Sequence, residues 1–292
     1  MDILVTGGLG FVGSHLSDFL ALEGHNVTVI DNLCSESSSR QYMRDDVTYW
    51  IDDVKNLDKT KYSGYEFDVI YHLAAHARIQ PSFKDPLKYL NNDIMGTAHV
   101  CEYGRHMNAK IVYAGSSSAY GGPMLNPYSY AKYTGEQVCE MYQKVYGMST
   151  VTARFFNVYG NRQPILGPYA TVVGIFEEKR KVGIPLTVTG TGEQRRDFTH
   201  VQDIAEGLYV LSNDIWSAEI FNLGCGKNYS INELAEMFGG EKEYIAARPG
   251  EAWETLADTS TIHKETGWIA NINLEQYVND WKLQCKTTQK SL

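Results

Sequence analysis

Six short runs of apolar residues, rich in β-branched and aromatic types, recur through the first part of the chain, and helical or turn-forming stretches separate most of them. They are Ile3-Leu4-Val5, Val27-Thr28-Val29-Ile30, Val47-Thr48-Tyr49-Trp50-Ile51, Val69-Ile70-Tyr71-His72-Leu73, Ile111-Val112-Tyr113 and residues 151–156. Strands that are apolar on both sides must be covered on both faces, which parallel pairing with helical crossovers achieves. The predicted fold is therefore α/β, built on a doubly wound parallel sheet. Helices are predicted near 11–23, 87–107 and 128–146. After Gly160 the alternation loosens, and Pro164, Gly167, Pro168, Gly183 and Pro185 punctuate shorter elements. Residues 1–160, rejoined by 196–217, are read as one domain; 161–292 are read mainly as a smaller C-terminal α/β substrate domain. The polar run 286–292 reads as a frayed tail, and 35–39 as a loop.

Charge and cysteine usage remove several classes. The formal net charge of −9 repels a phosphate polyanion, so nucleic acid is excluded as a partner. Cys34, Cys101, Cys139, Cys225 and Cys285 are odd in number and scattered, with no Cys-x-x-Cys pair. They read as reduced thiols of a cytoplasmic protein. Met1 and Asp2 lead directly into the first apolar run, leaving no room for a signal peptide. No apolar run approaches the ~20 residues of a membrane span.

Gly7-Gly8-Leu9-Gly10-Phe11-Val12-Gly13 follows the first strand and opens the first helix. Glycines at 7, 10 and 13 permit a tight turn and a close approach of Phe11, Val12 and the neighbouring backbone to a pyrophosphate. Taken alone the motif also describes a plain strand-to-helix turn. Asp31 closes the second strand, where a carboxylate takes ribose hydroxyls and repels a 2′-phosphate, which selects NAD over NADP. Asp53, after the third strand, is placed to accept from an adenine amino group.

Tyr128 and Lys132 stand four apart at the start of a helical stretch, on one face. A tyrosine near pKa 10 is a poor base at neutral pH, and a lysine cation beside it stabilises the phenolate. Lowering that pKa by three units takes roughly 4 kcal/mol. Such a base removes a hydroxyl proton while hydride leaves the same carbon. Ser116-Ser117-Ser118 follows the fifth strand, at the carboxyl edge where parallel sheets place their chemistry.

Together these segments resemble the extended short-chain dehydrogenase/reductases that process nucleotide sugars, a Rossmann-like family. The resemblance rests on Thr6-Gly7-Gly8-Leu9-Gly10-Phe11-Val12-Gly13-Ser14, Asp31-Asn32-Leu33, His72-Leu73-Ala74-Ala75 and Ser116-Ser117-Ser118-Ala119-Tyr120-Gly121. It extends to Tyr128-Ser129-Tyr130-Ala131-Lys132, Arg154-Phe155-Phe156-Asn157-Val158-Tyr159-Gly160, residues 192–198 and Arg248-Pro249-Gly250-Glu251, nearly the whole chain. It implies that Asp31 and Asn32 hold the adenosine ribose, Asp53 the adenine, and that Leu73 and Ala74 flank the cofactor, NAD. It implies Ser116, Tyr128 and Lys132 as catalytic residues, with Lys132 also on the nicotinamide ribose. Ser82, Ser117, Asn157, Arg196 and Arg248 are implied to contact substrate, the two arginines as a clamp on its diphosphate. Residues 167–173 look like the nucleotide-facing segment of UDP-hexose and UDP-hexosamine 4-epimerases, which favours UDP over GDP or dTDP. The resemblance also suggests a homodimer through the helices near 87–107 and 128–146.

The chain departs from the family in three places. Only Gly121-Gly122-Pro123-Met124-Leu125-Asn126-Pro127 separates Tyr120 from Tyr128, where relatives carry a longer loop. Asp93 stands where relatives have Asn. Ser117 and Ser118 occupy the places of the Asp-Glu pair that a 4,6-dehydratase uses. The resulting expectation is a C4 epimerase of a UDP-hexose or UDP-N-acetylhexosamine, ahead of a 4,6-dehydratase, a UDP-glucuronate decarboxylase or a non-catalytic NAD sensor. His72 and His76 stand four apart but have no third ligand in sequence, so no metal site is expected.

Overall fold

The computed structural model describes residues 1–35, 38–58, 60–213 and 219–290. Six parallel strands come from the first part of the chain: β1 (Asp2–Thr6), β2 (Asn26–Ile30), β3 (Thr48–Trp50), β4 (Val69–His72), β5 (Lys110–Ser116) and β6 (Thr150–Phe155). The chain then forms β7 (Asn157–Tyr159), β8 (Leu186–Thr189) and β9 (Arg195–His200), and returns as β10 (Glu219–Leu223). β10 pairs with β6 in parallel register, completing a seven-stranded sheet in the order β10-β6-β5-β4-β1-β2-β3. The order reverses between β1 and β4, and a crevice opens at the carboxyl ends of strands at such a point.

Both faces of the sheet are buried, which explains the continuous apolar runs. Ile3, Val5, Val27, Val29 and Val112 point to one side, under α1 (Phe11–Leu22) and α8 (Val201–Asn213). Leu4, Ile70, Ile111 and Tyr113 point to the other. That second face is covered by α4 (Met95–Met107) and α6 (Pro127–Tyr146), which come after the short helices α2 (Ile79–Lys84), α3 (Pro86–Tyr89) and α5 (Ser118–Gly121). Alternate residues of one strand thus enter separate cores.

A smaller unit carries β7 and β9 in a three-stranded sheet with β11 (Asn228–Ser230), and β8 in a two-stranded sheet with β12 (Lys242–Ile245). Its own core gathers Phe176 from α7 (Val172–Val182), Leu234 and Phe238 from α9 (Ile231–Phe238), and Leu274 and Val278. The buried Asp197 carboxylate ties β9 to two later segments by accepting from the amides of Cys225, Gly226 and Ala257. The last helices are α10 (Ser260–Thr266) and α11 (Leu274–Lys290).

Two expectations need correction. The predicted tail is helical as far as Lys290, because α11 is anchored by Leu274 and Val278 and by the Lys282 ammonium on the Met237 carbonyl; residues 291 and 292 lie outside the described set. The single helix predicted near 87–107 is three pieces, with a π turn at Leu90–Ile94 between α3 and α4. That turn contains the buried Asp93, and such bulges are frequent at functional sites. The predicted loop at 35–39 is described only in part: residues 36 and 37 lie outside, and the Ser39 hydroxyl accepts from the amide of Gln41.

His72 joins the two halves of the sheet. The Thr97 hydroxyl donates to the Asp93 carbonyl, so it accepts from Nε2–H of His72 at 3.0 Å. Nδ1 of His72 then accepts from the Thr6 hydroxyl at 2.8 Å, and Thr6 Oγ1 accepts from the Ala74 amide at 3.1 Å. Every donor in this chain has one acceptor only while the imidazole is neutral. Burial pushes the pKa of His72 down to about 3 and those of His76 and His200 down to about 4.

Below pH 6.5 the unfolded chain therefore binds protons at these three histidines that the native state refuses, and stability falls as pH falls. Asp93, raised to about 6 mainly by burial, offsets part of this by taking up a proton in the native state. Between pH 6.5 and 4.5, denaturant titrations should show stability falling by roughly 1–3 kcal/mol per pH unit. A flat profile there would mean that these imidazoles are not held neutral.

Candidate functional site

The carboxyl ends of the strands open into a cavity of about 1200 Å3 that runs from the β1–α1 turn to the smaller unit. At one end, Gly7 adopts φ +70°, and a Cβ there would stand 2.9 Å from the backbone of Ala74. At Gly13 a Cβ would strike the Gly7 carbonyl at 2.2 Å. Both positions therefore require glycine, whereas Gly10 is less crowded. α1 begins with no side-chain cap and no acid in its first turn. The first amides of α1, at Phe11, Val12 and Gly13, have no partner within the helix, and they face the cavity with the positive end of the helix dipole. That is the chemistry of a pyrophosphate cradle.

Asp31 stands beside it, 6% exposed. Its carboxylate accepts from the amides of Leu9 and Leu33 at 3.0 and 2.8 Å, which fixes its plane at the cavity wall. Burial raises its pKa and these amides oppose the rise. Asn32, Leu73 and Ala74 also line the wall. Asp53 does not: its oxygens accept from the Asn32 side chain and the Lys55 amide, so it orients Asn32 and caps a short 3-10 turn. Asp52 and Val54 line the cavity on either side of it.

The next part is built on α6. Pro127 pre-sets the first turn, and the Asn126 side chain accepts from the Ser129 amide at 2.7 Å. Tyr128 and Lys132 follow on one face, and both line the cavity. The Tyr128 hydroxyl donates to Ser116 Oγ at 3.2 Å, and the Ser118 amide donates to the same oxygen. Lys132 is buried, with Nζ 4.7 Å from the centroid of the Tyr113 ring. Burial raises the Tyr128 pKa, against the Ser116 hydrogen bond and the positive charge of Arg78. Lys132 itself is lowered by burial and partly restored by Asp93. Arg78 is a cation that favours the phenolate, and the Tyr-x-x-x-Lys spacing could not reveal it.

Ser117, Asn157, Arg196 and Arg248 line the far end. Arg196 is held by the carbonyls of Arg195 and Trp253 and lies 3.6 Å from Glu251, whereas Arg248 is exposed at the rim. Ser82 is not on the wall: it is fully buried and its hydroxyl turns back to the Ile79 carbonyl within α2. The short segment after Tyr120 is pinned to the rim, because the Asn126 amide group also donates to the Gly250 carbonyl at 2.9 Å. Among the described residues no group of three or more His, Cys, Asp or Glu could hold a metal ion, and no helix is long and apolar enough to cross a membrane.

Comparison with known proteins shows the family and the fold. Residues 3–224 match the model of the NAD dependent epimerase/dehydratase family. A UDP-glucuronate 4-epimerase of Thermodesulfobacterium geofontis is 31% identical over 94% of this chain and 92% of its own. UDP-glucuronic acid decarboxylase 1 of Xenopus tropicalis is 31% identical over 95% of this chain and 70% of its own. The solved structure of a UDP-glucuronic acid 4-epimerase from Bacillus cereus, with UDP-glucuronic acid and NAD, superposes with a TM-score of 0.89. It is 27% identical and covers 99% of this chain and 100% of that one.

An ionised carboxylate at Asp31 would repel a ribose 2′-phosphate placed beside it. NAD should bind about tenfold or more tighter than NADP, a difference of ~1.4 kcal/mol. Calorimetry on stripped protein checks this; equal affinities would remove Asp31 from the ribose site.

Proposed function

The chain belongs to the NAD dependent epimerase/dehydratase family, and from that premise we propose that it inverts C4 of a UDP-hexose or UDP-N-acetylhexosamine through a transient 4-keto sugar. The observation that carries this reading is the hydrogen bond from Tyr128 to Ser116 inside the cavity, with Ser117 and Ser118 beside it. When bound, NAD supplies a reversible hydride acceptor at the reacting carbon. The chain's own residues do the rest. Gly7, Gly13 and the first amides of α1 hold the pyrophosphate, Asp31 and Asn32 the adenosine ribose, and Lys132 the other ribose. Arg196 and Arg248 hold the diphosphate of the sugar nucleotide, with Asn157 beside it.

Tyr128 removes the proton of the 4-hydroxyl, and Ser116 shares the hydrogen bond to that oxygen. Burial raises the pKa of the phenol, so its ionisation depends on positive charge close to it. The 4-keto sugar turns about its diphosphate anchor and is reduced on its other face, Tyr128 returning the proton. A 4,6-dehydratase needs a base for the C5 proton and an acid for the departing C6 hydroxyl. Ser117 and Ser118 are too weakly acidic and basic for either role. The ketone therefore has reduction as its fate.

Tyr128→Phe should lower turnover by about a hundredfold or more while NAD binding survives, since the ring is retained. Near-normal turnover would make the tyrosine structural. With substrate deuterated at C4, NMR should find the label at C4 of the inverted product. Deuterium at C6, or a 4-keto-6-deoxy product, would replace the epimerase reading with a dehydratase.

Arg248→Ala tests the diphosphate anchor separately. Affinity for a UDP-sugar should fall by about tenfold or more, with NAD affinity changed less than about twofold. Equal losses for both ligands would mark Arg248 as a structural residue.

A further inference from the structure

Arg78 is a cation in the cavity wall for which the reading above has no ligand. It follows β4 by six residues, on the loop at the carboxyl edge of the sheet, and has extended backbone at φ −161° just before α2. Its Nε donates to the Tyr169 carbonyl at 2.7 Å, which fixes the plane of the guanidinium. Among the described residues its other nitrogens make no hydrogen bond and no ion pair. The ionisable groups acting on it are Tyr128, Tyr89 and Tyr169, with no carboxylate among them. Arg196, by contrast, has Glu251 beside it, and Arg154 is paired with Glu136 at 2.6 Å. The guanidinium is partly buried with no anionic partner, and its planar fork matches a carboxylate or a phosphate.

The position limits which anion can reach it. In the reading above, α1 takes the cofactor's pyrophosphate and Arg196 with Arg248 takes the sugar nucleotide's, so neither diphosphate is left for Arg78. Tyr128 marks the 4-oxygen of the sugar. The substituents next to that oxygen are the 3-hydroxyl and the exocyclic C6, and of these only C6 carries a negative charge when oxidised to a carboxylate. We propose that Arg78 is the specificity-determining residue at C6, so that the UDP-hexose of the reading above is taken preferentially in its C6-oxidised form, a UDP-hexuronate whose carboxylate is held by the free edge of the Arg78 guanidinium.

This rests on the UDP-sugar reading, and the test separates the two. The NAD-loaded enzyme is titrated calorimetrically with UDP-glucuronate and with UDP-glucose, as wild type, Arg78→Gln and Arg78→Lys. Wild type should bind the uronate about tenfold or more tighter than the neutral sugar. Arg78→Gln should erase that preference and change UDP-glucose affinity less than about threefold, while Arg78→Lys, which keeps the charge without the fork, should retain part of it. Equal wild-type affinities, or a parallel loss of both ligands in Arg78→Gln, would overturn the assignment and leave the UDP-sugar reading standing. Should neither UDP-sugar bind, both readings fall. If the bound uronate loses CO2 instead of being inverted at C4, the epimerase reading falls and the role of Arg78 stands. The melting temperature of each variant with NAD bound reports whether it is folded; if Arg78→Gln is not, the comparison rests on Arg78→Lys, where an unreduced uronate preference overturns the fork.

Discussion

The arrangement depends on how closely two strands meet where the sheet reverses direction. Gly7 comes so near Ala74 that a side chain on it would have to enter the peptide backbone. The hydrogen bonds from Ala74 through Thr6, His72 and Thr97 to the Asp93 carbonyl hold that approach. The chain of bonds begins at the cofactor end of the cavity and finishes in the π turn, whose Asp93 carboxylate acts on Lys132 and Tyr128. A single buried imidazole therefore links the segment beside Gly7 to the π turn.

The sheet could be read from the residues because burial on both faces leaves an unmistakable trace in the side chains. Val27 and Val29 enter one core and Ile30 the other, so the strand has no polar face to disguise it. Tyr128 and Lys132 were legible for a similar reason, since helical spacing alone places them together. Asp53 and Ser82 lie off the cavity wall, and residue type does not reveal which way a short side chain turns. One accepts from Asn32 and a turn amide, and the other donates to a carbonyl in its own helix. Arg78 was missed because nothing local marks it. Its partner carbonyl lies 91 positions away, on a segment brought alongside only by the completed fold.

Electrostatics divides the cavity into two regions. Near α1 the wall presents the positive end of a helix dipole and one oriented carboxylate. Around Tyr128, burial works against ionisation of every group: it raises the tyrosine and lowers the lysine. Opposite charges placed close together there favour each other's ionised forms.

Asn126 occupies a place between these regions and the rim. One end of its side chain caps the helix that carries Tyr128, and the other holds the carbonyl of Gly250, two residues beyond Arg248. The rim and the first turn of α6 therefore share one side chain. A substitution that alters Asn126 would be felt at both places at once, at the rim near Arg248 and at the start of the helix that carries Tyr128.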